Sequence, residues 1–78
     1  MDVRLKLFAT YRRYMPPESQ GSVCDLQVPA GTQVADVLAE FGIPADGSVI
    51  LVNGHGATPE RSLKGGDVVA VFPSMAGG

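Results

Sequence analysis

The chain has 78 residues, of which 45% are hydrophobic and 18% charged, a composition typical of a folded domain. A chain of this length forms one domain with a thin core and little room for a deep catalytic pocket. We therefore expect a carrier, a module or a subunit, and not an independent enzyme. The formal net charge is −2 and the basic residues are scattered, which argues against a nucleic-acid partner.

The single cysteine rules out an internal disulfide and fits a reducing compartment. No apolar run approaches the roughly 20 residues of a membrane helix. The first residues, with Asp2, Arg4 and Lys6 between apolar ones, are unlike a signal peptide. We expect a cytoplasmic protein with no membrane partner.

Two segments near the N-terminus alternate between apolar and polar residues, as half-buried strands do. They cover residues 3–9 and 22–28, and we expect them to pair in antiparallel fashion. The loop between them has room for one helical turn around Tyr11–Met15. Cys24 alternates with apolar neighbours in the second segment, which predicts a buried and chemically inert thiol.

The next segment predicts the main helix, about ten residues long, because Val34, Val37, Leu38 and Phe41 recur at helical spacing. Thr32 stands where an N-cap residue is expected. Gly42 suits the left-handed position just after a helix, and Pro44 blocks its continuation.

Two further strands are predicted at residues 49–53 and 68–72. Asn53-Gly54 is a strong turn signal after the first of them, and Pro73 ends the second. Residues 55–64 read as irregular, apart from a short helical turn at Pro59–Leu63. The order strand, strand, helix, strand, strand predicts a two-layer α+β domain, in which the strand after the helix lies at an edge or beside the last strand.

An exposed apolar patch is predicted on the sheet face opposite the helix. If Val69 and Val71 point to the core, then Phe72 points away from it, and the same alternation directs Phe8 and Leu51 outwards. A patch of this kind on a small protein usually marks a partner site. His55 has no partner ligands at a matching spacing, so we predict no metal site.

These segments in this order resemble the MoaD/ThiS family of sulfur carriers, which have a ubiquitin-like β-grasp fold. The resemblance rests on VRLKLFATYRRY, GTQVADVLAEFG, VILVNG and LKGGDVVAVFPSMAGG, and it is strongest with the small subunit of molybdopterin synthase. It implies a mixed sheet of four to five strands on one main helix. It also implies a β-grasp domain over residues 1–73 and a flexible Gly-Gly tail over residues 74–78.

The resemblance implies that the chemistry takes place at the Gly78 carboxylate, with Gly77, Ala76 and Met75 completing the tail. Glycine has no Cβ, so such a tail can thread a narrow channel. A ubiquitin-activating-enzyme-like adenylyltransferase would adenylate Gly78 with ATP, and a sulfurtransferase would supply sulfur to form a thiocarboxylate. The molybdopterin synthase large subunit would then use that sulfur in molybdenum or tungsten cofactor synthesis. The chain itself would bind no cofactor and catalyse nothing.

Other functions remain open at this level. The same chemistry serves thiamine thiazole formation and tRNA thiolation. A ubiquitin-like protein modifier would instead join Gly78 to lysines through an isopeptide bond. A β-grasp interaction domain without tail chemistry is a further alternative.

Overall fold

The structure is a computed structural model, and it describes residues 1–16 and 23–74. The elements follow in chain order as β1 (Asp2–Leu7), a 3-10 helix (Ala9–Tyr14), β2 (Val23–Gln27), α1 (Val34–Phe41), β3 (Ser48–Val52), β4 (His55–Gly56) and β5 (Val68–Pro73). The four predicted strands and the main helix are confirmed, and the strands begin and end within two residues of the predicted positions. The expectation that residues 55–64 are irregular, apart from a helical turn at Pro59–Leu63, was wrong at the first two positions, because His55 and Gly56 form the short strand β4.

The strands form one five-stranded sheet in the order β2-β1-β5-β3-β4. As predicted, β1 pairs with β2 in antiparallel fashion. The last strand, β5, lies at the centre, parallel to β1 and antiparallel to β3. The strand after the helix therefore lies beside the last strand, and the mixed sheet with its one main helix is the β-grasp arrangement that the resemblance implied.

One hydrophobic core lies between the helix and one face of the sheet. In β5, Val69 and Val71 are fully buried, and Leu5 and Leu7 of the neighbouring β1 are equally inaccessible. The helix contributes Val34, Val37 and Leu38. This alternation is that of a sheet with one covered face, so the side chains between these positions lie on the other face. None of the described helices is long and apolar enough to cross a bilayer.

The start of α1 lies one residue later than the predicted Thr32 cap. The N-cap is Gln33, whose backbone N–H donates to the carboxylate Oδ2 of Asp36 at 2.9 Å. The Thr32 hydroxyl instead donates to Pro29 O at 2.7 Å and closes the preceding turn. At the other end, Gly42 adopts the predicted left-handed conformation with φ of 72°.

Cys24 is only half-buried, so the prediction of a buried thiol was wrong. It pairs with Leu5 and shares the helix side of the sheet, but β2 lies at the edge, where the helix covers less. The proposed division into residues 1–73 and a tail from 74 stays a prediction, because residues 75–78 lie outside the described part of the chain.

Candidate functional site

The central strand β5 leads directly to the predicted functional tail. Its neighbour β1 is parallel to it, so both strands end on the same side of the domain. The Ser74 N–H donates to Gly47 O at 2.8 Å, which ties the last described residue to the loop before β3. The point from which the tail departs is therefore fixed by the sheet and by this loop.

Two predicted partner-binding residues, Phe8 and Phe72, stack on each other at this end of the sheet. Their ring centroids lie 4.4 Å apart and their planes are within 6° of parallel. The Phe8 N–H donates to Val71 O at 3.2 Å, which sets the chain after β1 beside the end of β5. Stacking of two aromatic rings is favourable by about 0.5–1.5 kcal/mol beyond the burial of their area, so the two rings form one continuous apolar surface.

The third predicted residue, Leu51, lies on the same face, because it pairs with Ala70 in the β3–β5 ladder. A shallow groove lined by apolar residues continues this surface across β3 and β5. We call the whole surface the apolar platform; its members are Phe8, Ala9, Val49, Leu51, Phe72 and Pro73. The structure thus brings together all three residues that the alternation pattern directed away from the helix.

Sequence reasoning missed Val49, which at 48% exposure is the only exposed large hydrophobic residue among those described. It pairs with Phe72 and so lies directly beside the aromatic stack. The sequence contains the information that predicts this position, because Val49 lies two residues before Leu51 in the strand and so lies on the same face of the sheet. An exposed valine at the centre of an apolar surface is typical of a partner contact.

The same face of the sheet becomes charged towards β2. Lys6 pairs with Ala70 next to the platform, and Arg4 forms an ion pair with Asp25 through Nε and Oδ1 at 2.8 Å. The hydrogen bond from Arg4, helped by its charge, lowers the pKa of Asp25. Both side chains are exposed, so this pair adds little stability.

The opposite end of β5 is anchored by Asp67, a buried acidic residue with 7% exposure. Its carboxylate accepts hydrogen bonds from the Lys64 N–H at 2.8 Å and from the Asn53 side-chain amide at 2.9 Å. Asn53 Oδ1 in turn accepts from the Val68 N–H at 2.9 Å. The bond from Lys64, followed by that from Asn53, lowers the pKa of Asp67. This network joins the β3–β4 turn to the start of β5.

No group of three or more His, Cys, Asp or Glu side chains within residues 1–16 and 23–74 is arranged to hold a metal ion. His55 lies exposed in the short strand β4. The predicted tail residues Met75, Ala76, Gly77 and Gly78 lie outside the described residues, so their role stays a prediction.

Comparison with known proteins matches this chain to one family. The sequence model of the ThiS family matches residues 5–78. A search of curated proteins gave no match. Among solved structures, a Pyrococcus furiosus protein provisionally named molybdopterin converting factor, subunit 1, is 28% identical, with a TM-score of 0.72 and coverage of 95% of this chain and 98% of that one.

Two proteins of Haloferax volcanii have similar structures. The HVO 2177 protein is 26% identical with a TM-score of 0.80, covering 100% of this chain and 87% of that one. Small archaeal modifier protein 1 is 21% identical with a TM-score of 0.76, covering 95% and 98%. The second likeness concerns the fold alone.

Proposed function

Since this chain belongs to the ThiS family, we propose that it is a sulfur carrier that works through a thiocarboxylate on Gly78. The observation that carries the proposal is the extent of the family match, which runs through residue 78 and includes Gly77-Gly78. A carboxylate oxygen of Gly78 attacks the α-phosphorus of ATP on an activating enzyme and releases pyrophosphate. A persulfide on the sulfurtransferase then attacks the acyl carbon and displaces AMP, and a thiol reductant cleaves the S–S bond of the resulting acyl disulfide to leave the thiocarboxylate on Gly78.

The geometry at the end of β5 supports a reaction that takes place in the active site of a partner enzyme. Gly78 lies four residues beyond the anchored Ser74, so its carboxylate reaches at most about 14 Å from that point. We infer that the apolar platform docks on the partner enzyme while the tail enters its active site. The partner supplies the catalytic groups, and this chain supplies the acyl group and the docking surface.

For the sulfur acceptor we propose a pterin precursor of molybdenum or tungsten cofactor, with the chain acting as the small subunit of a molybdopterin synthase. The support is the name of the Pyrococcus furiosus protein, to which this chain is 28% identical over nearly its whole length. The large subunit would then bind the same platform after the activating enzyme has released it.

Intact-mass measurement tests the carrier chemistry. The protein is incubated with ATP, a cognate activating enzyme and a sulfur donor, and we expect a gain of about 16 Da, oxygen replaced by sulfur. A chain lacking Gly78 is the matched control and should not gain mass. An unchanged mass of the full chain, together with unimpaired function after Gly78 deletion in cells, would defeat the proposal.

A second measurement tests the acceptor. The thiocarboxylated chain is mixed with the synthase large subunit and a sulfur-free pterin precursor, and we expect the added mass to be lost as sulfur enters the pterin. Retention of the mass in this mixture would contradict the pterin assignment, and loss of the mass in a parallel mixture with the enzymes of thiazole formation or tRNA thiolation would assign another pathway. Conjugates of the chain on lysines of other proteins would identify a modifier.

A further inference from the structure

The outer edge of β2 presents backbone groups that no described strand satisfies. Met1 and Val28 exchange two backbone hydrogen bonds, at 2.7 and 2.9 Å. In an antiparallel ladder such pairs alternate with pairs whose N–H and C=O groups point to the other edge. The backbone N–H and C=O groups of Asp25 and Gln27 therefore point away from β1, towards the open edge of the sheet. Their one described partner on that side is a weak contact of 3.8 Å from the Cys24 thiol to Asp25 O.

A groove of about 490 Å³ runs beside this edge, between β2 and α1. Its apolar lining includes Leu26, Val28 and Phe41, each of them half-buried. Leu26 pairs with the buried Val3 and so points to the helix side of the sheet. A strand added beside β2 would place every second side chain in this groove.

The charged residues that line the groove are both acidic. Asp36 and Glu40 lie one turn apart on α1, and both are exposed. Glu40 forms no ion pair within the described residues, and it lies in the last turn of the helix, where the helix dipole disfavours negative charge. A cation beside Glu40 would be favoured both by the carboxylate and by the end of the helix.

From these three features we propose that the β2 edge and the α1 groove bind an extended, basic segment of a partner protein. The segment adds as a strand beside β2 and bonds to the backbone of Asp25 and Gln27. Its apolar side chains fill the groove, and its Lys or Arg side chains lie against Glu40. Strand addition of this kind takes its affinity from the main chain and its specificity from alternate side chains. The proposal is independent of the chemistry at Gly78.

The test uses the full chain labelled with nitrogen-15 and the capped peptide Lys-Thr-Val-Thr-Val-Thr-Lys, in which lysines and valines share one face of a strand. We expect saturable shifts of the Asp25 and Gln27 amides, and contacts between the valine methyl groups and the Phe41 ring. The same peptide with glutamates in place of lysines should bind several-fold more weakly. Absence of saturable shifts, or equal binding of the two peptides, would overturn the proposal.

Two variants of the peptide test strand pairing without altering the protein. One peptide is methylated at the backbone nitrogens of the valines and the other at those of the threonines, which removes their N–H donors. In a strand, the N–H groups of the valines and those of the threonines point to opposite edges. One methylated peptide should lose binding and the other should keep it. If both bind like the parent peptide, no strand is added and the proposal fails.

Protein variants supply the matching controls. Gln27→Pro removes an outward donor and should weaken binding about fivefold, as expected for the loss of one hydrogen bond, whereas Gln27→Ala should bind like the wild type. Glu40→Lys should weaken binding more than Glu60→Lys, which makes the same charge change elsewhere. Concentration-dependent shifts at Asp25 and Gln27 without peptide would mean that a second copy occupies the edge, and would overturn the proposal.

Discussion

Replacing Asp67 by asparagine should destabilise the domain strongly at neutral pH and less in acid. The carboxylate accepts from two donors, the Lys64 N–H at 2.8 Å and the Asn53 amide at 2.9 Å. Hydrogen bonds to charged groups contribute about 1.5–3 kcal/mol each. An asparagine keeps one acceptor oxygen but presents an NH₂ group to the other donor, so we expect a loss of about 1.5–3 kcal/mol, which is a large part of a small domain's stability.

The pH dependence follows from the lowered pKa of Asp67 in the folded state. In the unfolded chain the group titrates near its ordinary value of 3.8, and in the folded chain it titrates lower. The charge of Asp67 therefore contributes its full stabilisation at pH values above the pKa of the unfolded state. That contribution is lost as the pH falls through the pKa of the folded state. The difference between the wild type and Asp67→Asn should accordingly shrink on acidification.

Urea unfolding followed by circular dichroism at pH 7 and at pH 3 measures both effects. Asp46→Asn is the matched control, because Asp46 is exposed and has no ion pair within the described residues; it should change stability by less than about 0.5 kcal/mol. A loss on Asp67→Asn no larger than the loss on Asp46→Asn at pH 7 would refute the stabilising role of the Asp67 carboxylate. An equal loss on Asp67→Asn at both pH values would refute the role of its charge.

Three further substitutions, one of them with a matched control, test other parts of the structure. Phe72→Asp should weaken binding to the activating enzyme about tenfold or more, measured by calorimetry with circular dichroism as a check of folding, because it places a charge in the apolar platform; normal binding would contradict the docking role. Gly42→Ala should cost about 1–2 kcal/mol because φ is 72°, whereas Gly56→Ala, which meets no neighbouring atom and needs no positive φ, should be nearly neutral in the same urea assay. Tyr11→Phe removes the 2.8 Å hydrogen bond to Ser48 and should cost about 1 kcal/mol; an unchanged urea midpoint would show that this bond adds no net stability.

The parts of the fold that could be predicted from sequence are those with local causes. Alternation located the long strands, and the left-handed Gly42 followed from the absence of a Cβ. The Asn53-Gly54 turn was also predicted, and the positive φ values of 53° and 83° at these residues explain why such a pair is needed there. Each of these features depends only on residues that are close together in the sequence.

The parts that could not be predicted depend on contacts distant in the sequence. The central place of β5 arises from its pairing with β1, more than sixty positions earlier in the chain. The strand β4 has only two residues, too few to show any periodicity. The N-cap is Gln33 and not the predicted Thr32, whose hydroxyl donates to Pro29 O in the preceding turn. Asp67 reads as an ordinary turn residue until the β3–β4 turn brings Asn53 beside it.

The sheet order also explains how one small domain can present two separate surfaces. The apolar platform spans β5 and β3, whereas the proposed peptide edge is the outer side of β2. The strand β1 lies between β2 and β5, so β2 and β5 are about 10 Å apart at a spacing of about 4.8 Å per strand. The groove also faces the helix side and the platform faces the other side. A partner enzyme docked on the platform as proposed would leave the β2 edge open, so this geometry would allow a basic partner segment to remain bound during the proposed chemistry at Gly78.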